Sequence, residues 1–434
     1  MTVATSAKAP STLGERVRAA RHEAGLSQAQ LAGSELTKGF ISQVESSLVR
    51  PSIRSLQIIA TRLGRSLDYF VGDESLTAAK RITFHRLAAE AAVERRDWDQ
   101  ARSHVTVALA LAPEAHERGR LLHLAASADA RTGEREAAFD KINEALVLVE
   151  PSSDPLLASE LLYLRGWVYG DIGQLVASNE ALEAAKAIVE KYEVVEPRTR
   201  AKLLVALGTN YRRLNRTAKA MSAYEAGLAV ASRSSELDLA ARGYMGIAAS
   251  LYDSGDLDSA ITSYRRALEL FERVSDTSFE LSALQSLAAV QFEQGRLSDA
   301  RALAEQTLRR AGEVGDAHWA AAAEVVLARV ALEEGAPDEA MQIAGHAERA
   351  LAESDDELQR SDALRVIGGA HDARGEFEQS DTFYRRALQI LDQVGDRADR
   401  AAVATEYARK LRARGEIDAA FEMLEDARGT TAAR

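Results

Sequence analysis

Small-residue turns recur along most of this chain at a near-constant spacing, and that period limits its possible folds more than any other feature. Gly133, Gly173, Asn215, Gly255, Gly295, Gly335, Gly375 and Gly415 follow one another every 40 residues, with one interval of 42. Arg96 opens an earlier copy 37 residues upstream of Gly133. Five residues after each turn stands a small side chain: Ala101, Ala138, Ser178, Ala220, Ala260, Ala300, Ala340, Ser380 and Ala420. Nine copies in register mark a repeat protein, in which each unit buries its apolar face on its neighbours. Only 6% of residues are aromatic and seven are proline, a mix that favours helix over sheet. An all-α chain is the expectation.

A 40-residue period fits either a HEAT-like helical repeat or a lengthened tetratricopeptide repeat (TPR). The side chains choose between them. In "GYMGIAASLYDSGDLDSAITSYRRALEL", residues 243 to 270, Ala248, Ala260 and Ala267 are small where two helices must approach closely. Tyr244, Leu251 and Tyr264 are large where they fill the space between. The same order recurs as Gly208, Tyr211, Ala220, Tyr224 and as Gly368, Ser380, Tyr384, Ala387. That is a TPR signature, with the extra residues taken up by longer helices and by loops such as "RVSD", "EVGD" and "QVGD". About nine repeats are expected over residues 82–428, wound into a superhelical solenoid, with a frayed tail at 429–434. The first helix of each pair should line the inner surface. Outward positions there place Tyr163, Trp167, Arg212, Arg242, Met245, Tyr252, Asp253, Gln285, Phe292, Glu293 and Arg365 inside. Aromatic rings beside guanidiniums and carboxylates suit the apolar side chains and charged ends of a peptide. Packing between repeats, or plain solvation, would account for any one of them equally well.

Charge divides the chain in two. Residues 1–72 hold nine Lys/Arg against five Asp/Glu, and the rest holds 45 against 61. An acidic array repels phosphate, so nucleic-acid contact is expected only in the first part. There, after a disordered arm at 1–12, five short helices can be drawn over residues 13–72, and a linker helix over 73–81 follows. Ser27 caps "SQAQLAG", Thr37 caps "KGFISQVES" and Ser52 caps "IRSLQIIATRLG". Two short helices joined by a tight turn, the second with Phe40, Ile41 and Val44 inward, form a helix-turn-helix pattern.

With "LSQ", "ISQVE" and "RPS" in order, residues 13–72 resemble the XRE-type helix-turn-helix family, which includes the lambdoid phage repressors and Cro. The resemblance implies that the helix after Thr37 enters the major groove. It implies that Gln28 touches backbone phosphate, and that Lys38, Gly39, Ser42 and Gln43 face the base edges. Arg50, Ser52 and Arg54 would then grip the backbone. It also implies a buried structural ion pair between Arg21 and Glu45. The turn between the two central helices is one residue shorter than usual in that family, and "ESS" stands where Glu-x-Gly is usual.

Other functions find little support. The chain has no cysteine, its eight histidines are scattered without an HExxH pair, and no GxxxxGK[ST] loop is present. No metal, cofactor or catalytic residue is expected, and the chain reads as a non-enzyme. No apolar run is long enough to span a membrane, and no signal-peptide core precedes the first domain, so a cytoplasmic protein is expected. The whole architecture resembles the RRNPP-type quorum-sensing regulators. That resemblance implies a homodimer on a double-stranded operator with two half-sites, and a short peptide or other effector bound by the array. A TPR scaffold for a protein partner, using DNA only as a tether, is the alternative.

Overall fold

The computed structural model describes residues 12–65, 67–70, 78–111, 113–353, 356–395 and 397–432. The expected arm, apart from Thr12, residues 71 and 72 of the expected DNA-binding domain, residues 73–77 of the expected linker, and residues 433 and 434 of the expected tail lie outside these. All secondary structure among the described residues is helical. The chain forms two compact units, Met1–Val194 and Val195–Arg434.

The first unit begins with α1 (Leu13–Glu23), α2 (Gln28–Ala32), α3 (Lys38–Glu45), α4 (Ile53–Arg62) and α5 (Leu67–Phe70). Their starts are written locally. Thr12 and Glu15 form a reciprocal capping box on α1, and Ser27 and Gln30 form another on α2. Thr37 Oγ1 accepts from the Phe40 amide, and Ser52 Oγ accepts from the Ser55 amide. Val17, Ala20, Leu31, Ile41, Val44, Leu56, Ile59 and Phe70 close over one core. Phe84 joins that core from α6 (Ala78–Glu94), the first helix of the array. The two expected domains therefore share packed side chains across the boundary drawn between them.

The rest of the unit is a series of antiparallel pairs: α6 with α7 (Trp98–Ala110), α8 (Ala115–Arg131) with α9 (Arg135–Leu148), and α10 (Pro155–Asp171) with α11 (Leu175–Lys191). The second unit continues the series. It contains α12 (Pro197–Arg213) and α13 (Thr217–Arg233), α14 (Leu237–Asp253) and α15 (Leu257–Val274), and α16 (Thr277–Glu293) and α17 (Leu297–Val314). After these come α18 (Ala317–Glu333) and α19 (Pro337–Glu353), α20 (Glu357–Ala373) and α21 (Phe377–Val394), then α22 (Arg397–Ala413) and α23 (Ile417–Ala432). First helices pack on first helices: α6 on α8 and α8 on α10 in the first unit, and α12 on α14, α16 on α18 and α18 on α20 in the second. Among the described residues no helix is long and apolar enough to cross a membrane.

The 40-residue punctuation has a backbone cause. At the end of α14, Gly255 takes φ +84° and the Asp256 amide donates to the Leu251 carbonyl at 3.0 Å. This left-handed C-terminal motif recurs at Arg96 and Asn215, which adopt positive φ without being glycine. Ser235, Ser275, Gly315 and Gly395 provide a second set of left-handed turns, at the ends of second helices. Close approach explains the small residues. Ala248, Ala260 and Ala267 are fully buried, and Tyr264 fills the space between helices.

Candidate nucleic-acid interface and effector face

Helix α3 turns Ile41 and Val44 into the core, and this orients its other side. Lys38, Gly39 and Gln43 are exposed there, with Ser42 half-buried beside them. Arg50, Ser52 and Arg54 are exposed on the following loop and the start of α4. The Ser52 hydroxyl is already engaged as the α4 cap and shares a 2.9 Å hydrogen bond with the Ser55 hydroxyl.

Behind this face, Arg21 Nε donates to Glu45 Oε1 at 2.5 Å and Arg21 Nη2 donates to Oε2 at 3.1 Å. Both side chains are buried. Arg21 Nη1 also donates to the Leu26 carbonyl at 2.8 Å, so one guanidinium joins α1, the turn into α2, and the end of α3. Gln28, expected at phosphate, is half-buried, and its Nε2 donates to Glu45 Oε2 at 2.8 Å. Burial alone would push the Glu45 carboxyl up. The hydrogen bonds from Arg21 and Gln28 outweigh it and hold the carboxyl below the usual carboxylate range.

Both departures from the family pattern have local solutions. In the shortened turn, Arg62 reaches back from α4 and donates to the carbonyls of Leu31 and Ala32 at the end of α2, and pairs with Glu35. Gly33 takes φ +55° and ψ −144°, a backbone conformation that L side chains rarely adopt, which explains the glycine. At "ESS", Ser47 adopts φ +57°, the Ser47 amide donates to Val44 and the Leu48 amide to Gln43. The left-handed turn is kept although its usual glycine is missing. A serine there carries a steric cost of about 1–2 kcal/mol, partly offset by the extra chain entropy a glycine would lose on folding. Ser47→Gly is therefore expected to stabilise α1–α5 by up to about 1 kcal/mol, with DNA affinity unchanged. Amide hydrogen exchange in α3 would read it, and slower exchange is the expected result.

On the first helices of the second unit, the expected effector residues pair across repeats at one recurring separation. Arg212 Nη1 donates to Asp253 Oδ2 at 2.9 Å, the Tyr252 hydroxyl to Glu293 Oε1 at 2.5 Å, and Arg365 Nη1 to Glu406 Oε2 at 2.8 Å. Each pair is 41 residues apart, one period plus one, so the rungs join equivalent positions of successive repeats. Arg365 Nη2 is also 3.0 Å from Asp362, and the Tyr384 hydroxyl donates to Glu406 Oε1 at 2.8 Å. Burial, followed by hydrogen bonding to Glu293, pushes the Tyr252 phenol well above its ordinary value. Arg242 lies with its guanidinium 4.1 Å from the Phe279 ring centre. Met245 is half-buried and packs against two apolar clusters, one containing Ala241 and Phe271 and one containing Ala248 and Tyr264. Gln285, expected on the open face, is buried, and its Nε2 donates to the Ala322 carbonyl at 2.8 Å.

In the first unit, Trp167 is half-buried with the Arg131 guanidinium 4.5 Å from its ring centre, and Tyr163 is half-buried one turn earlier on α10. One residue of the second unit was not among those expected from sequence. Arg329 of α18 lies 4.2 Å over the Phe292 ring, beside the Tyr252–Glu293 rung. Its signal lies in the equivalent repeat positions, where its counterparts Ala289 and Gly369 are small.

Comparison with known proteins assigns the two parts. Residues 17–70 match the helix-turn-helix family and residues 239–313 match the tetratricopeptide repeat family. The chain carries a helix-turn-helix domain ahead of tetratricopeptide repeats. A stretch of 75 residues is 31% identical to the immunity repressor protein of Bacillus phage phi105. That alignment covers 17% of this chain and 52% of the repressor, so the chain spans about half the length of the curated relative it matches. For the array, a Rap protein complexed with Competence and Sporulation Factor has a similar fold, at a TM-score of 0.64 and 14% identity. The match covers 82% of this chain and 98% of that one. The apo form of the quorum sensor NprR from B. thuringiensis is similar at a TM-score of 0.61 and 12% identity, covering 87% of this chain and 97% of that one. The TPR array thus belongs to a known solenoid fold, and the helix-turn-helix domain precedes it.

Proposed function

We propose that this protein is a sequence-specific transcriptional regulator of the RRNPP type, whose DNA affinity is set by an effector, a short peptide, on the face of the first helices. It acts in the cytoplasm as a homodimer on an operator with two half-sites about 34 Å apart. The observation that carries the reading is the exposed row of Lys38, Gly39 and Gln43 on α3, with Arg50 and Arg54 beside it, in a net basic first domain of an acidic chain. Gln43 suits the paired donor and acceptor of adenine, and Lys38 suits guanine acceptors or phosphate. The effector half is supported by the cross-repeat rungs, which hold polar groups in place on one face. The fold relatives add support, since one is a Rap protein in complex with Competence and Sporulation Factor and the other is a quorum sensor.

Phe84 supplies a means of coupling. A ligand changes DNA binding only through unequal affinity for two arrangements of the protein. With Phe84 buried in the core of the DNA-binding domain, a rearrangement of α6 moves α1–α5 with it. A coupling of about 1–3 kcal/mol is enough for a useful switch.

Operator selection on random DNA with the full-length protein tests the reading. On the selected site Gln43→Ala should cost about 1–3 kcal/mol and relax one base preference. Binding should weaken steeply with salt as phosphate contacts release counterions. Equal affinity of wild type and a Lys38→Ala, Gln43→Ala double variant would refute the interface. A folded protein partner recovered in place of a peptide would favour the scaffold alternative.

A further inference from the structure

Arg329 is an arginine among small residues. The positions 40 before and 40 after it are Ala289 and Gly369, and 80 before it stands Ala249. It is partly buried, and one face of its guanidinium is covered by the Phe292 ring at 4.2 Å. Other arginines on this face have carboxylates: Arg212 takes Asp253, and Arg365 takes Asp362 and Glu406. Among the described residues Arg329 has no hydrogen-bond or ion-pair partner. The neighbouring Glu293 carboxylate is engaged by the Tyr252 hydroxyl. Burial, then the charge of Arg365, pushes the Arg329 guanidinium below its ordinary value. A cation held out of water beside another cation is costly until an anion meets it.

Resting on the peptide-effector reading above, we propose that Arg329 is the subsite for a carboxylate of the effector, with Phe292 as its floor. The guanidinium edge offers the paired N–H donors that a carboxylate accepts in fork geometry. Glu293 and Asp362, close enough to act on the Arg329 charge, disfavour a dianion, so a singly charged carboxylate fits better than a phosphate. The carboxylate comes either from the peptide's C-terminus or from an Asp or Glu side chain.

The test uses the full-length protein and three pools of random heptapeptides: free C-terminus, C-terminal amide, and free C-terminus without Asp or Glu. Peptides retained by wild type are identified by mass spectrometry and their affinities measured by calorimetry. Wild type should bind its selected peptide at least tenfold more tightly than the amide if the C-terminus is recognised. If a side chain is recognised, the loss should follow the Asp or Glu instead. Arg329→Gln should lose at least tenfold for the intact peptide and no longer discriminate, while Arg329→Lys should keep part of the preference. Retained peptides that bind wild type and Arg329→Gln equally would overturn the subsite while leaving the peptide reading intact. No retained peptide in any pool would overturn the peptide reading, and the subsite with it.

Discussion

Glu45→Ala should unfold the helix-turn-helix domain at ordinary temperature while the array stays helical. Removing one partner of a buried pair leaves the other charge uncompensated, at a cost of about 3–5 kcal/mol. Here the stranded group is the Arg21 guanidinium, which Glu45 otherwise meets with two hydrogen bonds. Gln28 loses its acceptor as well. The core over α1–α5 is small, and domains of this size have little stability to lose. Hydrogen exchange in the full-length protein separates the two parts: protection should vanish in α1–α4 and persist in α12–α21. DNA binding should be lost with it. An apolar pair, Arg21→Met with Glu45→Leu, should recover much of the protection, because it removes both desolvation costs at once. Acid should act in the same direction as Glu45→Ala. The folded carboxyl is held below its ordinary value, so its contribution is present above about pH 4.3, the usual Glu pKa, and is lost as pH falls through the folded value. Glu45→Gln should be less stable at neutral pH and lack that acid component. Native protection in Glu45→Ala would show that the pair is dispensable.

Gly246→Ala tests the packing of the array, and two physical effects predict opposite signs. Alanine in a helix interior is favoured over glycine by about 0.5–1 kcal/mol. At Gly246, however, a Cβ would lie 2.1 Å from the ring of Tyr224. Tyr224 is 2% exposed, and Gly208 confines it as well, since a Cβ there would lie 2.7 Å from the same ring. The ring has no space to move into, and overpacking of this kind costs about 3 kcal/mol. Packing should win, leaving Gly246→Ala about 2 kcal/mol less stable than wild type. Shrinking the ring should reverse the sign: in a Tyr224→Leu background the same substitution should be neutral or stabilising. Gly345 of α19 is the control, because a Cβ there meets only the tip of Arg349 at 3.8 Å. Gly345→Ala should gain the helix-propensity increment of up to about 1 kcal/mol. Urea unfolding of the full-length protein, followed by exchange in α13 and α14 for the two Gly246 variants and in α19 for Gly345→Ala, would measure all three. A stabilised Gly246→Ala would show that the tyrosine is free to yield.

Determinants that act within a few residues are readable in the sequence alone. Helix starts are set by side chains three residues from the amide they cap, as at Thr12, Ser27, Thr37 and Ser52. The repeat turns are set by residues that tolerate positive φ, and their 40-residue spacing carries the helical pairs with it. The small–large order of Ala248, Ala260 and Tyr264 identified the packing because close helix approach excludes large side chains wherever it occurs. Contacts between residues distant in sequence were decided only by the tertiary structure. Whether an inner-face side chain meets a partner depends on the rise and rotation from one repeat to the next, which no single repeat encodes. The structure therefore decided that Arg212, Tyr252 and Arg365 reach carboxylates 41 residues away, that Gln285 turns into the packing, and that Gln28 joins Arg21 at Glu45. It also placed Arg329 over Phe292 and Phe84 in the core of the domain before it. These positions follow from how neighbouring units dock, since a buried charge or ring takes its partner from whatever surface the next unit presents.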